Sequence, residues 1–422
     1  FISIDPERVK HDARAIDAAR ARGETLGAVA GLPIVFKDQI DVAGYQTTVG
    51  SKVMKGYVAR KNAVVTQTLL SAGAVVMGKT NMADLLTRSG LGRHFPMPRN
   101  PYDLSRMTGG SSAGNGAAIA ARIAPAGIGE DTGGSVRWPA ANCGICGFRP
   151  STYAFENYFN STHRKRYPGE GLVMPPTWVE TMGPMARTVA DVAFLDEVIT
   201  GDKAQPVDLS GTRIGIPRSD YWERPHDPKV RRAIDDVFAN LRDAGVQLVE
   251  VDLNALIALS EHDRLGPMVA RGGGAIADWL AENHPTITLA DIEAEKANSQ
   301  FNEVPKNYPR VPAPPTERPK LTPEEQLLIM KDAWTKYSSV FKDKGIVALA
   351  MPTMLMLPPM INFNWCSRDA RILVNGEWVE EWDLTLTNVW WGSRFGAPAL
   401  SLPAGLGDGL PVGLQLQGMP GD

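Results

Sequence analysis

Two turns rich in glycine and serine constrain the fold of this chain more than any other feature. The first is Gly109-Gly110-Ser111-Ser112-Ala113-Gly114, and the second is Asp131-Thr132-Gly133-Gly134-Ser135-Val136-Arg137. A segment rich in alanine and isoleucine, residues 117–126, lies between them. Glycine lets the backbone turn sharply and approach a bound group closely. The pattern therefore predicts a turn, a buried helix and strand, and a second turn that presents a serine beside backbone N–H groups.

A lysine in an apolar setting, Lys37, completes a candidate catalytic set. It ends the run Leu32-Pro33-Ile34-Val35-Phe36-Lys37-Asp38. Serine and lysine together can perform acyl transfer without histidine. Ser135 is then the candidate nucleophile, and the N–H groups of the preceding Thr132-Gly133-Gly134 are candidate oxyanion donors. Lys37 is the candidate base provided that it is neutral, a form favoured by burial among apolar neighbours, and Ser111 or Ser112 would relay the proton.

Composition and charge exclude several classes of function. The 422 residues carry 44 basic and 47 acidic side chains, a net charge of −3 that gives no electrostatic basis for a nucleic-acid partner. A small neutral substrate fits this balance at least as well. No apolar run reaches the roughly 18 residues of a transmembrane helix, so no membrane partner is predicted.

The chain has three cysteines, which are Cys143, Cys146 and Cys366. The first two form a C-x-x-C pair, but no second pair exists to complete a zinc site. Redox chemistry stays open for this pair, although packing as small apolar residues is the favoured interpretation. So few cysteines favour a reducing, cytoplasmic location. No signal peptide is visible, and a segment preceding Phe1 would be the place for one.

Strands alternate with helices along most of the chain. This alternation predicts an α/β fold whose sheet is covered by helices on both faces. Predicted strands cover residues 28–36, 74–78, 124–129, 213–217, 246–251, 346–351, 399–403 and 412–416, and predicted helices cover 6–22, 63–71, 113–123, 188–199 and 228–244. We expect one large domain with a largely helical insertion at about 255–341, interrupted by a proline-rich connection at 304–323.

A different serine mechanism also matches the first turn. Gly110-Ser111-Ser112-Ala113-Gly114 satisfies G-x-S-x-G, the nucleophile elbow of α/β-hydrolases, with Ser112 as nucleophile. That fold needs an apolar strand directly before the elbow, and residues 104–108 form a poor one. It also needs a late histidine, whereas the last histidine is His284. This mechanism is therefore the weaker alternative, and phosphate binding by the same turn is weaker still.

The chain from Gly109 to Pro150 resembles the signature block of the amidase signature family. The resemblance continues through Gly31 to Asp38, Gly78 to Met82, Gly183 to Asp191 and Gly409 to Gln415. It implies the fold of that family, a single large domain over residues 1–422 with a central mixed, mostly parallel twisted sheet. Family members usually carry more residues at both ends, so the chain is expected to be truncated.

The resemblance also implies a Ser–cis-Ser–Lys triad of Ser135, Ser111 and Lys37, and hydrolysis of an amide without a metal or organic cofactor. Ser135 would attack the amide carbonyl, and Ser111 would pass its proton to neutral Lys37. The expected oxyanion donors are the N–H groups of the four residues Thr132, Gly133, Gly134 and Ser135. The expected supporting residues are Ser112, Asp131 and Arg137, although a purely structural role for the Asp131–Arg137 pair is equally open.

Substrate specificity is expected from apolar segments around the site. The candidate pocket residues are Leu86, Thr87, Trp138, Phe155, Trp390 and Trp391. Residues 153–167 look like an insertion that acts either as a lid or only as surface decoration. Aromatic residues often simply fill a core, which is the competing interpretation for the tryptophans.

The apolar loops resemble the subgroup that acts on arylalkyl amides such as mandelamide and indoleacetamide. Aryl acylamides and carbamates are close alternatives, because the same acyl-enzyme chemistry serves all three. The glutamine-hydrolysing component of glutamyl-tRNA amidotransferase resembles the same pattern and is a further alternative. The expected partners are a small-molecule amide and a second copy of the chain in a homodimer.

Overall fold

The computed structural model of the protein describes residues 1–82, 95–152, 166–173, 179–256, 272–288, 290–292, 294, 323–361, 371–380, 384–394 and 396–420. Its strands are β1 Pro33–Lys37, β2 Val75–Thr80, β3 Arg99–Asn100, β4 Asp103–Met107, β5 Ala126–Asp131, β6 Cys146–Arg149, β7 Thr181–Ala186, β8 Arg213–Ile216, β9 Gln247–Glu250, β10 Ala348–Pro352, β11 Arg371–Val374, β12 Glu377–Glu380, β13 Ala399–Gly407 and β14 Leu410–Gln417. Its helices are α1 Pro6–Ala21, α2 Val64–Ser71, α3 Ala113–Ala120, α4 Arg137–Cys143, α5 Val189–Thr200, α6 Arg218–Trp222, α7 Pro228–Asp243, α8 Gly272–Asn283, α9 Pro323–Lys344 and α10 Thr387–Arg394.

Several helices begin and end where their local sequence predicts. Asp5 caps α1 by accepting the N–H of Arg8, and Thr188 caps α5 by accepting the N–H of Asp191. Side-chain oxygens at this position satisfy N–H groups that have no partner within the helix. Helix α5 ends at Gly201 in the left-handed conformation, a common way to end a helix.

Among the described residues, ten strands form one mixed sheet in the order β2-β1-β5-β7-β6-β13-β14-β10-β8-β9. The parallel pairs lie at its two ends, where β1 pairs with β2 and β5, and β8 pairs with β9 and β10. The pairs in the middle, from β5 through β14 to β10, are antiparallel. The predicted α/β domain with a mixed sheet is confirmed.

Helices cover both faces of this sheet. On β5, Ala126 and Ile128 pack in a core cluster that includes residues of α2 and α5. A Cβ on the alternating residue Gly129 would instead lie 2.8 Å from Ser112 Oγ, at the start of α3. Because successive side chains of a strand point to opposite faces, α2 and α5 lie on one face and α3 on the other. A second core cluster unites β8, β10 and α7 with the C-terminal part of the chain.

Helices α8 and α9 lie within the region predicted as a helical insertion, residues 255–341. The segments 257–271 and 295–322 lie outside the described residues, so the insertion stays a prediction. Strand β4 was expected to be a poor strand before the first turn. It pairs only with β3 in a separate two-stranded sheet.

Candidate active site

The candidate site lies where β1 and β5 end side by side. The two strands pair in parallel, with Phe36 opposite Ile128, so their carboxyl ends meet at one edge of the sheet. Lys37 is the last residue of β1, and Glu130 and Asp131 are the last two of β5. Open α/β sheets commonly bind ligands at this edge. The topology therefore brings the lysine to the loop that carries Ser135.

Lys37 is fully buried and contacts both a serine and a carboxylate. Its Nζ donates to Ser111 Oγ at 2.6 Å, to Glu130 Oε2 at 2.6 Å and to the Glu130 backbone oxygen at 3.3 Å. The lysine–serine contact agrees with the predicted proton relay. The carboxylate partner was missed, because the sequence around Lys37 is apolar and Glu130 lies 93 residues away along the chain.

The first glycine- and serine-rich turn supplies Ser111 from a cis peptide bond between Gly110 and Ser111, the geometry that the family resemblance implies. Ser111 is half-buried, whereas Ser112 is fully buried. The Oγ of Ser112 lies 3.2 Å from the backbone oxygen and 3.3 Å from the backbone nitrogen of Glu130, and its N–H donates to the Ser135 oxygen at 3.1 Å. Ser112 therefore joins the two turns, which fits its predicted supporting role.

These contacts also weigh against Ser112 as the nucleophile of a hydrolase elbow. Its hydroxyl is buried at 0% exposure and engaged with the Glu130 backbone. The preceding strand, β4, lies outside the main sheet, whereas an elbow follows a strand of the central sheet. Ser111 and Ser135, by contrast, are both half-buried.

The second turn is held by a buried ion-pair network around Asp131. Its carboxylate accepts from Arg137 Nε and Nη2 at 3.0 Å each, and Arg149 Nη1 lies 3.5 Å away. Burial raises the pKa of Asp131, but the two guanidiniums outweigh this effect and hold it well below its usual range. Arg137 also donates to Gln415 and Ser393. The predicted pair of Asp131 and Arg137 is thus brought together, and Arg149 is an additional member that the sequence did not indicate.

The same carboxylate determines which N–H groups of the turn face the site. The N–H of Gly134 donates to Asp131 Oδ1 at 2.7 Å, and that of Val136 donates to Asp131 Oδ2 at 3.2 Å. A backbone N–H has one hydrogen and one direction. The expectation that Gly134 stabilises an oxyanion is therefore corrected: its N–H holds the loop, and Thr132 and Gly133 remain the predicted donors together with Ser135.

Apolar side chains pack directly on the glycines of both turns. Trp390 lies so close to Gly133 that a Cβ on this glycine would approach the Trp390 ring to 2.0 Å. Trp138 packs on Gly109 in the same way, with a corresponding distance of 2.8 Å. Both tryptophans were predicted pocket residues, and both border the catalytic turns.

The other predicted pocket residues have different places. Trp391 is 1% exposed and packs in the core with its ring centroid 5.9 Å from that of Tyr337, which favours a core role over a pocket role. Leu86, Thr87 and Phe155 lie outside the described residues, as do residues 153–165 of the predicted lid.

Within the described ranges, no group of three or more histidine, cysteine, aspartate or glutamate side chains could hold a metal ion. Cys143 and Cys146 are buried free thiols, and burial raises the pKa of Cys146 to about 11, as expected of cysteines that pack as small apolar residues. Cys366 lies outside the described residues. None of the helices in the described part of the chain is both long and apolar enough to cross a membrane.

Comparison with known proteins gives consistent matches. A family model described as Amidase matches residues 1–422. Mandelamide hydrolase of Pseudomonas putida is 31% identical over 441 residues, covering 100% of this chain and 81% of the relative. The A-type component of glutamyl-tRNA(Gln) amidotransferase from Clostridium botulinum (strain Eklund 17B / Type B) is 30% identical over 449 residues, covering 99% of this chain and 86% of the relative. A crystal structure of an amidase superposes with a TM-score of 0.75 at 26% identity, covering 99% of this chain and 87% of that chain.

Proposed function

Since this chain belongs to the amidase family and is an amidohydrolase that acts on amides, we propose that it cleaves small apolar or aromatic amides through a seryl acyl-enzyme. Ser135 is the nucleophile, Ser111 the proton relay and Lys37 the base. The observation that carries this proposal is the 2.6 Å contact between Lys37 Nζ and Ser111 Oγ, made by a fully buried lysine.

In the proposed reaction, Ser135 Oγ bonds to the amide carbonyl carbon. Its proton passes to Ser111 Oγ, and the hydroxyl proton of Ser111 passes to Lys37. The N–H groups of Thr132 and Gly133 stabilise the negative charge on the carbonyl oxygen, a contribution that is often among the largest in acyl transfer. The C–N bond breaks as the leaving nitrogen takes a proton back through Ser111. Ammonia or an amine departs, and water then hydrolyses the ester on Ser135.

The proposed preference for apolar or aromatic amides rests on the residues that border the turns. The Trp390 ring packs on Gly133, and the Trp138 ring packs on Gly109. The resemblance to a mandelamide hydrolase supports the same substrate class. Aryl acylamides and carbamates remain alternatives within this chemistry, and the homodimer and cytoplasmic location remain predictions from the sequence.

A second candidate function is glutamine hydrolysis for a partner, as in the amidotransferase relatives. It is favoured by one observation, the 30% identity to a component of glutamyl-tRNA(Gln) amidotransferase across 99% of this chain. Such a protein needs polar contacts for the α-amino and α-carboxyl groups of glutamine. The tryptophans beside the catalytic turns favour the first candidate.

The experiment that tests the proposal is a turnover screen of the purified protein with phenylacetamide, mandelamide, indoleacetamide, an anilide, a carbamate and glutamine. We expect release of ammonia or amine from an aromatic amide, at least about 10³-fold less in Ser135→Ala. Lys37→Ala should lose nearly as much. Release from glutamine alone would support the second candidate. A folded Lys37→Ala variant with near-normal activity at neutral pH would contradict the role of the lysine as base.

A further inference from the structure

One buried carboxylate beside the proposed triad has no part in the reaction as written above. Glu130 is 3% exposed. Its Oε2 accepts from Lys37 Nζ at 2.6 Å, and its Oε1 accepts from Thr132 Oγ1 at 2.6 Å. Its backbone oxygen accepts from Lys37 at 3.3 Å and from Ser112 Oγ at 3.2 Å. A single residue therefore contacts the base, a serine of the first turn and the first predicted oxyanion residue of the second.

We propose that Glu130 and Lys37 act as one proton-accepting pair, in which Glu130 takes the proton that Lys37 receives from Ser111. This inference rests on the proposed function. Glu130 does not touch the substrate and acts through Lys37, so it is a positioning residue with a role in proton transfer. It replaces the expectation of an isolated neutral lysine among apolar side chains.

The proton balance requires such an acceptor. At rest, a buried lysine 2.6 Å from a carboxylate forms an ion pair, in which the pair carries one transferable proton, on Lys37. An ammonium has no lone pair and cannot accept another proton. When Ser111 donates its hydroxyl proton to Nζ, a different N–H bond of Lys37 must break, and that proton bonds to Glu130 Oε2. The net charge of the pair rises from zero to +1, and the same steps in reverse return a proton to the leaving nitrogen.

Burial makes this arrangement consequential. A lysine taken out of water without a partner is strongly disfavoured as a cation, so the contact with Glu130 determines how the lysine holds its protons. The second oxygen of Glu130 bonds the hydroxyl of Thr132. One side chain thus fixes the base relative to the loop that carries the predicted oxyanion donors.

The pH profile of kcat/KM in Glu130→Gln tests the proposal. Glutamine keeps the length and the acceptor oxygen, but it cannot take a proton. In the wild type, activity falls at low pH when the pair gains a second proton. In Glu130→Gln, activity falls as soon as Lys37 gains its first proton, which occurs at higher pH. We expect the acidic limb to move upward, with a loss of about tenfold or more in kcat/KM at pH 7 that is recovered as the pH is raised.

Two further variants serve as controls. Glu130→Asp keeps a carboxylate and should retain the wild-type position of the limb, even if kcat falls because the shorter side chain fits less well. Asp196→Asn removes a buried carboxylate that is paired with Arg166, away from the site, and should leave the limb in place. If Glu130→Gln does not fold, as judged by circular dichroism, the limb in Glu130→Asp is the deciding measurement.

The outcomes separate this inference from the proposed function. An unmoved limb in Glu130→Gln overturns the inference, and so does a folded variant whose activity does not recover at alkaline pH. A limb that moves upward in Glu130→Asp, or equally in Asp196→Asn, also overturns it. Failure of the proposed function looks different, because the wild type would then show no Ser135-dependent turnover of any amide in the panel.

Discussion

Replacing Asp131 by asparagine should destabilise the protein more than any other single isosteric change near the site. The carboxylate accepts from five donors: Gly134 and Val136 through their backbone, Arg137 twice and Arg149 once. Asparagine retains one acceptor oxygen. Its NH₂ group takes the place of Oδ2, where it faces the N–H of Val136 and Nε of Arg137 as donor against donor.

The magnitude follows from these contacts. Two buried donors that lose their acceptor cost about 1–3 kcal/mol each. Removing one partner of a buried ion pair costs about 3–5 kcal/mol, which agrees with that sum. A loss of this size is a large part of the 5–15 kcal/mol that typically separates folded from unfolded protein. We therefore expect a loss of about 3–5 kcal/mol in the free energy of unfolding at pH 7.

The assay is urea unfolding followed by circular dichroism and tryptophan fluorescence. The pKa of Asp131 is depressed in the folded state, so its contribution is fully present above the unfolded value of about 3.9. That contribution is lost as the pH falls through the folded value. The difference between wild type and Asp131→Asn should therefore be constant from pH 7 to about pH 4 and shrink below it.

The control is Asp408→Asn, which removes an exposed ion pair with Lys229 and should have no measurable effect, as expected of an exposed pair. If Asp131→Asn were no less stable than this control, the ion-pair network would not hold the loop, and the assignment of Gly134 to that network would also fail. If the difference instead grew toward acid pH, the direction of the Asp131 pKa shift would be wrong.

Two other expectations follow from the packing and charge of the same region. Gly133→Ala should lower kcat/KM by about tenfold or more, because its Cβ would lie 2.0 Å from the Trp390 ring. The double variant with Trp390→Ala should recover part of that loss relative to Trp390→Ala alone, and strictly additive effects would contradict the steric explanation. Burial raises the pKa of Asp41 to about 6, against the hydrogen bond from Thr47. The folded state therefore favours protonated Asp41, and wild-type stability should rise by about 3 kcal/mol between pH 7 and pH 4 relative to Asp41→Asn, whereas parallel stability curves in urea would contradict the shift.

Much of the local structure could be predicted because it depends on neighbours in the chain. The helix starts at Asp5 and Thr188 follow from capping side chains that bond three residues ahead. The turn before Ser111 and the turn before Ser135 follow from their glycines, and the position of Lys37 at the end of a strand follows from the apolar run before it. These features require no knowledge of what packs against them.

The arrangement of the sheet could not be predicted in the same way. Alternating strands and helices indicate an α/β fold, but they do not reveal that β5, β7, β6, β13 and β14 meet as antiparallel neighbours. Strands β6 and β7 were not among the predicted strands at all. Pairing between strands depends on long-range contacts, and the short segments at 146–149 and 181–186 carry little alternation of their own.

The sequence by itself determined the candidate residues of the site, because a serine, a lysine and glycine-rich turns have chemistry that does not depend on the rest of the fold. Only the tertiary structure decided their partners. It placed the carboxylate of Glu130 against Lys37, directed the N–H of Gly134 to Asp131, and gave adjacent tryptophans at 390 and 391 a place beside the loop and a place in the core, respectively. Each of these results depends on the register of β1 against β5 and on the packing of helices against the sheet, and neither is encoded in any short stretch of chain.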